Sequence, residues 1–302
     1  MATKTSLLGL TKPAYTDAVD IAVLNTNFDL IDKAVGNGKH AKNWADNGFF
    51  PSAFVVNQRG AVSVTTGWTY FIDRWLAPSA SEATPISLNG SGLTINNAAG
   101  TSTMSLRQYI ANMPDGVYTA AAKCNGNLWT RQFTLLDGSM SAASNHSDST
   151  GQLYISGTGA SLAFNLQVFS GKSGLFEWAA LYEGAYDADT LPAYVYKGYA
   201  AELAECMRYY QVFGKKRLVQ STQPNGGFSI SERFAIPMRV APTIKGTYVA
   251  WSTVASGNTV VEQTAALATS ESRADGFRGY YTVGIATELM MLDYAFTASA
   301  DL

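Results

Sequence analysis

The spacing of apolar residues changes along the chain, and each change marks a different kind of element. Ile21, Leu24, Phe28, Ile31 and Val35 are separated by three, four, three and four residues, the seam of a coiled coil held for about two heptads. Asp17 and Asp20 stand at its start, where acidic side chains suit the positive end of a helix, and Asn37-Gly38 ends it. Such a helix either lies on its own domain or starts a short bundle with other copies, and no apolar domain precedes it to receive the seam. From Asn43 the chemistry is that of strands and turns. Asn47-Gly48, Asn89-Gly90, Asp115-Gly116, Asn125-Gly126 and Asp137-Gly138 are hairpin pairs, and stretches such as 116–124, 128–135 and 162–169 run between them. Leu162 to Phe169 alternates at period two, as a half-buried strand does, and 174–184 closes a β-sandwich over 43–193.

The pattern becomes helical again at 194–214. Tyr199, Leu203, Cys206 and Tyr210 fall on one side of a helix of about three turns, opened by Gly198 and capped by Gly214, with Glu205 close enough to Arg208 to pair. This predicts a packed connector between two β-rich domains. The segment 215–302 returns to short apolar pieces broken by Pro237, Pro242 and the turns Asn225-Gly226, Gly257-Asn258 and Asp275-Gly276, which predicts a small sandwich or barrel.

Composition narrows the picture. The chain has 302 residues, enough for two ordinary domains, and is 47% hydrophobic and 12% aromatic but only 15% charged, against roughly 25% charged in a typical globular domain. With abundant Gly, Ser, Thr and Asn, this balance suits a virion or extracellular β protein with polar, uncharged faces. The net charge of -2 gives no broad footprint for nucleic acid. Cys124 and Cys206 form neither a disulfide framework nor a metal motif and read as small buried hydrophobes. The N-terminus lacks the apolar core of a signal peptide, and no run is long enough to span a bilayer, so the expectation is a soluble protein made in a cytoplasm, without membrane insertion.

Candidate chemistry is sparse. The two histidines, His40 and His146, offer no triad and no metal site, so no catalytic residue, metal or cofactor is expected. Glu177 with Glu183, or Asp187 with Asp189, are the carboxylate pairs a glycosidase could use. Asp73 is expected to pair with an arginine and pin the first strands beneath Trp75, with Asn57-Gln58-Arg59-Gly60 as a structured turn and Arg74 nearby. Trp129 and Arg131 share one face of a strand, where an aromatic platform beside a bidentate donor suits a sugar, although the core is the more common fate of such an indole. Lys215-Lys216-Arg217 reads as a solvated run at a helix end, or as a contact for an acidic glycan.

Several stretches resemble the tail-fibre and receptor-binding proteins of tailed bacteriophages and prophages. Pro13, Val19-Asp20-Ile21, Val23-Leu24-Asn25, Asn27-Phe28 and Ile31-Asp32 are similar to the family's particle-proximal helix. Val56-Asn57-Gln58-Arg59-Gly60 and Tyr70-Phe71-Ile72-Asp73-Arg74-Trp75 resemble the opening of its carbohydrate-binding-like jelly-roll module. Phe176 to Gly184 and Glu202 to Gln211 resemble the module's close, and Pro237 to Ile244 with Phe296 to Leu302 resemble the start and end of the distal domain. The family usually ends in Glu before the last Leu, where this chain has Asp301.

The resemblance implies a mainly β homotrimer: a particle-attachment segment over 1–42, a jelly-roll β-sandwich over 43–193, a connector helix over 194–214 and a distal receptor-binding domain over 215–302. Ile21, Leu24, Phe28, Ile31 and Val35 would form the trimer interface. The partners would be a phage tail or baseplate protein at the N-terminus and a bacterial surface polysaccharide at the distal end, in a virion tail assembled in the host cytoplasm. Tyr248, Trp251, Asn258, Arg278, Tyr280 and Tyr281, on distal segments, are the candidate glycan contacts, with Trp129 and Arg131 if recognition lies in the middle domain. The alternatives are a tailspike-like glycan depolymerase and a purely structural tail adaptor.

Overall fold

A computed structural model describes residues 3–4, 10–12, 20–38, 42–61, 63–64, 69–77, 86–142, 147–221, 227–253, 261–262, 268–282 and 289–301. The protein is mainly β, with several antiparallel sheets and two helices among the described residues. It divides into two compact units, Met1–Phe50 with Ser91–Tyr196 and Pro51–Gly90 with Lys197–Leu302. This differs from the boundaries expected at 43–193 and 215–302, because Pro51–Gly90 belongs with the C-terminal part of the chain.

In the first unit the helix Ile21–Gly38 begins where Asp20 Oδ1 accepts the Ala22 N–H at 2.8 Å, a side-chain cap on an otherwise orphaned donor. Asn27 brackets Thr11: its amide accepts the Thr11 N–H at 2.8 Å and donates to the Thr11 carbonyl at 2.9 Å. The seam is uncovered, with Ile21 71% and Phe28 64% exposed and Leu24 and Ile31 exposed as well; the side chain of Val35 lies outside the described residues.

One sheet of this unit runs in the order Ser139–Ala142, Asn127–Leu136, Gly116–Cys124, Lys172–Glu183 and Gly92–Asn97. Strands Gly151–Gly157, Ser161–Val168 and Met104–Ala111 pair in that order in the other. Alternation puts Trp129, Phe133 and Leu135 from the first sheet and Leu106, Phe164 and Leu166 from the second into the buried layer, each worth about 1.5–3 kcal/mol of apolar burial. The hairpin pairs act as expected at Asn125-Gly126, where φ angles of 49° and 80° join Cys124 to Asn127, and at Asp137-Gly138. Gly48 serves close approach instead, since a Cβ there would lie 2.1 Å from the Ala179 carbonyl oxygen. Burial pushes the Cys124 thiol up to about 12, in keeping with an inert core position.

In the second unit, Tyr210–Ser221, Leu289–Ser299, Thr243–Thr253 and Val261–Glu262 form a four-stranded sheet, and Gly227–Arg233, Gly276–Thr282 and Ala268–Arg273 a three-stranded one. Their inner faces share a core of Phe228, Ile230, Phe277, Leu292 and Phe296, in which Phe296 stacks on Phe213 at 4.2 Å and meets Phe277 edge-on at 4.5 Å. Helix Tyr199–Met207 is shorter than expected. Tyr210, Val212 and Phe213 are strand formers, and the ladder with Leu289–Ser299 takes them, so Tyr210 faces Ser299 instead of extending the stripe. Cys206 is buried, but Tyr199 is exposed. Gly214 caps nothing and lies at the bulge between Phe213 and Lys216. Glu205 pairs with Lys197 at 2.6 Å, where Arg208 had been expected. The basic run is part of this strand: Lys216 pairs with Glu232 at 2.5 Å, and Arg217 donates twice to Asp293, at 2.7 and 2.8 Å. Those hydrogen bonds hold the Asp293 carboxyl below its ordinary range.

The segment 51–61 carries a buried polar cluster. Asp73 accepts the Gln58 N–H at 2.6 Å and its side-chain amide at 3.1 Å, while Gln58 Nε2 also donates to the Tyr210 carbonyl at 2.8 Å. Arg59 pairs with Asp301 at 2.5 Å and lies over the Tyr210 ring at 3.7 Å. Arg74 stacks over Tyr209 at 3.4 Å. Burial pushes the Asp73 carboxyl from 3.8 up to about 6, against the opposing pull of the Gln58 donors and the Arg59 charge. A group that holds its proton more tightly folded than unfolded stabilises the fold at low pH. That contribution, roughly 3 kcal/mol, is lost as pH rises through the window from about 4 to about 6. Asp73→Asn removes the titration, so melting temperatures measured from pH 4 to 7 should show wild type losing ground to the variant across that window; parallel curves would refute the assignment.

Candidate functional site

The sequence 228–234 alternates Phe-Ser-Ile-Ser-Glu-Arg-Phe, and the strand Gly227–Arg233 places Phe228 and Ile230 inward and Ser229, Ser231 and Arg233 outward. The neighbouring strand Gly276–Thr282 does the same, burying Phe277 and exposing Arg278 and Tyr280. Antiparallel register then sets the outer face in rows: Arg233, Gly276 and Arg273 across the first, Ser231, Arg278 and Glu271 across the second, and Ser229 with Tyr280 in the third.

Between the first two rows is a cavity of about 190 Å³ whose lining includes Arg233, Arg273, Arg278, Glu232, Glu271 and Asp275. Gly276 lets the two strands approach closely at its wall, because a Cβ there would lie 2.4 Å from the Glu232 carbonyl oxygen. Glu271 pairs with Arg273. Glu232 is held from behind, accepting from Lys216 Nζ and from the Tyr294 hydroxyl, each at 2.5 Å. Burial and that bond to Glu232 push the Tyr294 phenol above its ordinary range. Guanidinium donors and carboxylate acceptors thus line a small opening, and the next row carries Tyr280, which is 42% exposed. Such a set can hydrogen-bond a polyhydroxylated molecule in both directions while a ring packs on its C–H face.

Of the residues singled out from sequence, the structure brings together Arg278 and Tyr280. Tyr281 follows on the same strand, and its side chain lies outside the described residues, as does Asn258 altogether. Tyr248 and Trp251 belong to Thr243–Thr253 in the four-stranded sheet, where Trp251 is in register with Leu292 and Val261. They sit on a strand of the other sheet, three residues apart, and their side chains are likewise outside the described residues.

Trp129 and Arg131 do share a face, but it is the inner one: Trp129 is 0% exposed, with its indole N–H donated to Asp148 at 2.7 Å, and Arg131 is buried beside the Leu153 carbonyl. Neither can present a platform to a sugar. Arg233 and Glu271 escaped notice in the sequence, although the Phe-Ser-Ile-Ser alternation carried the signal for Arg233.

The carboxylate pairs separate. Glu177 pairs with Lys123 at 2.7 Å, and Glu183, six residues further along the same strand, is about 20 Å away at the rise of a strand, beyond glycosidase spacing. Asp187 accepts from the Asp189 and Thr190 N–H groups and the Thr190 hydroxyl, closing its own turn. His40 and His146 lie outside the described residues. Among the described residues no cluster of His, Cys, Asp and Glu could hold a metal, and no helix is long and apolar enough to cross a membrane.

Comparison with known protein families, with curated proteins and with solved structures finds no match for this chain.

The two faces of Gly276–Thr282 should respond differently to substitution. Phe277→Ala should cost about 3–5 kcal/mol and Arg278→Ala no more than about 1 kcal/mol, both read by denaturant unfolding of the full chain. Equal losses would mean that Arg278 holds the fold instead of presenting itself to solvent.

Proposed function

We propose that this chain is a non-enzymatic receptor-binding protein of a phage tail, a homotrimer that recognises a bacterial surface glycan through its C-terminal unit and attaches to the tail by its N-terminal segment. The observation that carries this reading is the outer face of the three-stranded sheet, where guanidinium and carboxylate groups line a small cavity and the next row carries an exposed tyrosine. Binding sites of this kind are concave, are built on rigid elements and carry few but well-placed polar groups. The jelly-roll reading of the first unit is supported by its facing antiparallel sheets, and the resemblance to tail-fibre proteins supplies the biological setting.

Trimerisation is supported by the uncovered seam at Ile21, Leu24, Phe28 and Ile31. Two heptads hold chains weakly, so other parts of the protein would share the interface. Three copies of a weak site would sum to durable attachment through avidity. Light scattering at micromolar concentration should give three times the chain mass, and Leu24→Asp with Phe28→Asp should expose the N-terminal helix to faster hydrogen exchange; a monomeric wild type refutes the assembly.

Adsorption tests the function itself. The full protein, fluorescently labelled, should bind intact host cells, and Arg278→Ala with Tyr280→Ala should reduce binding at least tenfold while the melting temperature stays within a few degrees. Undiminished binding by that variant places recognition elsewhere. Shortening of purified host polysaccharide on incubation would replace this reading with a depolymerase, and no binding to any host cell would leave a structural adaptor.

A further inference from the structure

We propose that the cavity lined by Arg233, Arg273 and Arg278 is an oxyanion site, so that the C-terminal unit selects a ligand carrying carboxylate or phosphate groups over a neutral one. The inference rests on reading this cavity as the place of recognition and adds the charge of what it takes. Register fixes its frame: Arg233, Gly276 and Arg273 stand in one row, and Arg278 follows two residues after Gly276 on the middle strand. Two strand spacings put the Cα atoms of Arg233 and Arg273 roughly 10 Å apart, and Arg278 lies about 7 Å from the glycine between them. Gly276 contributes no side chain to its row, so three long cationic side chains surround a position that has none of its own.

The carboxylates of the lining do not cancel this charge. Glu232 accepts from Lys216 Nζ and from the Tyr294 hydroxyl behind it, and so brings a cation of its own. Glu271 pairs with Arg273. Asp275 stands in the turn before Gly276. Four cations, Arg233, Arg273, Arg278 and Lys216, therefore meet three carboxylates. The excess is clearest at Arg233, which is exposed and whose guanidinium makes no hydrogen bond or ion pair among the described residues.

Charge complementarity selects the occupant. An oxyanion accepts charge-assisted hydrogen bonds roughly twice as strong as neutral ones, and the planar fork of arginine meets a carboxylate or phosphate with two bonds at once. A neutral ligand would displace water from the same guanidinium groups without matching their charge. A cation would meet the excess positive charge. A nucleic acid needs a basic surface that tracks many phosphates, whereas the whole chain carries a net charge of -2. The cavity, about 190 Å³, is smaller than the roughly 300–1,000 Å³ of an ordinary ligand pocket, so it takes one anionic group of a larger molecule. Ser231 beside Arg278 in the second row, and Tyr280 in the third, are placed to meet the hydroxyls and ring that carry that group. A uronic acid and a polyol phosphate present the same chemistry to these residues.

The test titrates the full-length protein with methyl glucuronide, glycerol phosphate and the neutral methyl glucoside, followed by ligand-observed NMR. Wild type should bind at least one of the anions tenfold or more tightly than the glucoside, and that affinity should fall at least fivefold when about 0.5 M sodium chloride shortens the range of the charges. Preference for either anion supports the proposal, and its direction separates a uronate from a phosphate source. Arg233→Gln should remove most of the preference, and Arg233→Lys, which keeps the charge, should retain part of it, both with an unchanged melting temperature. Equal affinity for the three ligands, salt-independent binding, a preference untouched by Arg233→Gln, or no binding by wild type overturns the proposal. Host cells bound through Arg278 and Tyr280 without any preference for the anions would remove the oxyanion site and leave the receptor reading standing. Anion preference without adsorption to any cell would do the reverse.

Discussion

The C-terminal unit depends on one largely enclosed ion pair between residues 242 positions apart, Arg59 and Asp301. Further contacts hold it: Asp301 also accepts from the Ser299 hydroxyl at 2.8 Å, and Arg59 lies over Tyr210. The backbone at Tyr209 and Tyr210, where helix gives way to strand, is then gripped from both ends of the unit's sequence. Ala300 N–H donates to the Tyr209 carbonyl at 2.7 Å, and Gln58 Nε2 donates to that of Tyr210 at 2.8 Å. Removing one member of such a pair leaves a largely desolvated charge unmatched, which costs more than the pair contributes over a well-packed apolar replacement. Its value here is therefore in specifying which segments meet.

This pair also explains which parts of the fold were legible in the sequence. Local signals held: the hairpin at Asn125-Gly126, the alternation of 128–135, and the cap at Asp20 all arise from contacts a few residues apart. The membership of Pro51–Gly90 could not be read, because it rests on long-range contacts such as Arg59 with Asp301. The end of the second helix failed for a related reason. Tyr199, Leu203, Cys206 and Tyr210 do fit a helical stripe, but pairing of Tyr210 through Phe213 with Phe296 through Ser299 outweighed that local preference. Trp129 and Arg131 show a third limit. Period two establishes that two side chains share a face and says nothing about whether that face is the core or the solvent.

The candidate site follows the same division. At Arg278 and Tyr280 the deciding feature was visible, since alternation from the apolar Phe277 turns Phe277 and Gly279 inward and Arg278 and Tyr280 outward. The opposing Arg233 and Glu271 became neighbours only through register, which is a property of three strands together.

A physical reason connects the polar faces to stable backs. Glu232 sits between the cavity and the core, and its acceptance of Lys216 and the Tyr294 hydroxyl ties the three-stranded sheet to the four-stranded one. Asn165, buried in the strand Ser161–Val168, likewise ties strand to strand through the Tyr154 carbonyl and Arg107. In both places the buried groups hold the backbone while the exposed ones make few demands on the fold. Exposed residues at such positions are usually replaceable within about 0.5 kcal/mol, so ligand preference can change there without loss of the scaffold. The converse applies to Glu232, whose replacement would disturb shape and recognition together.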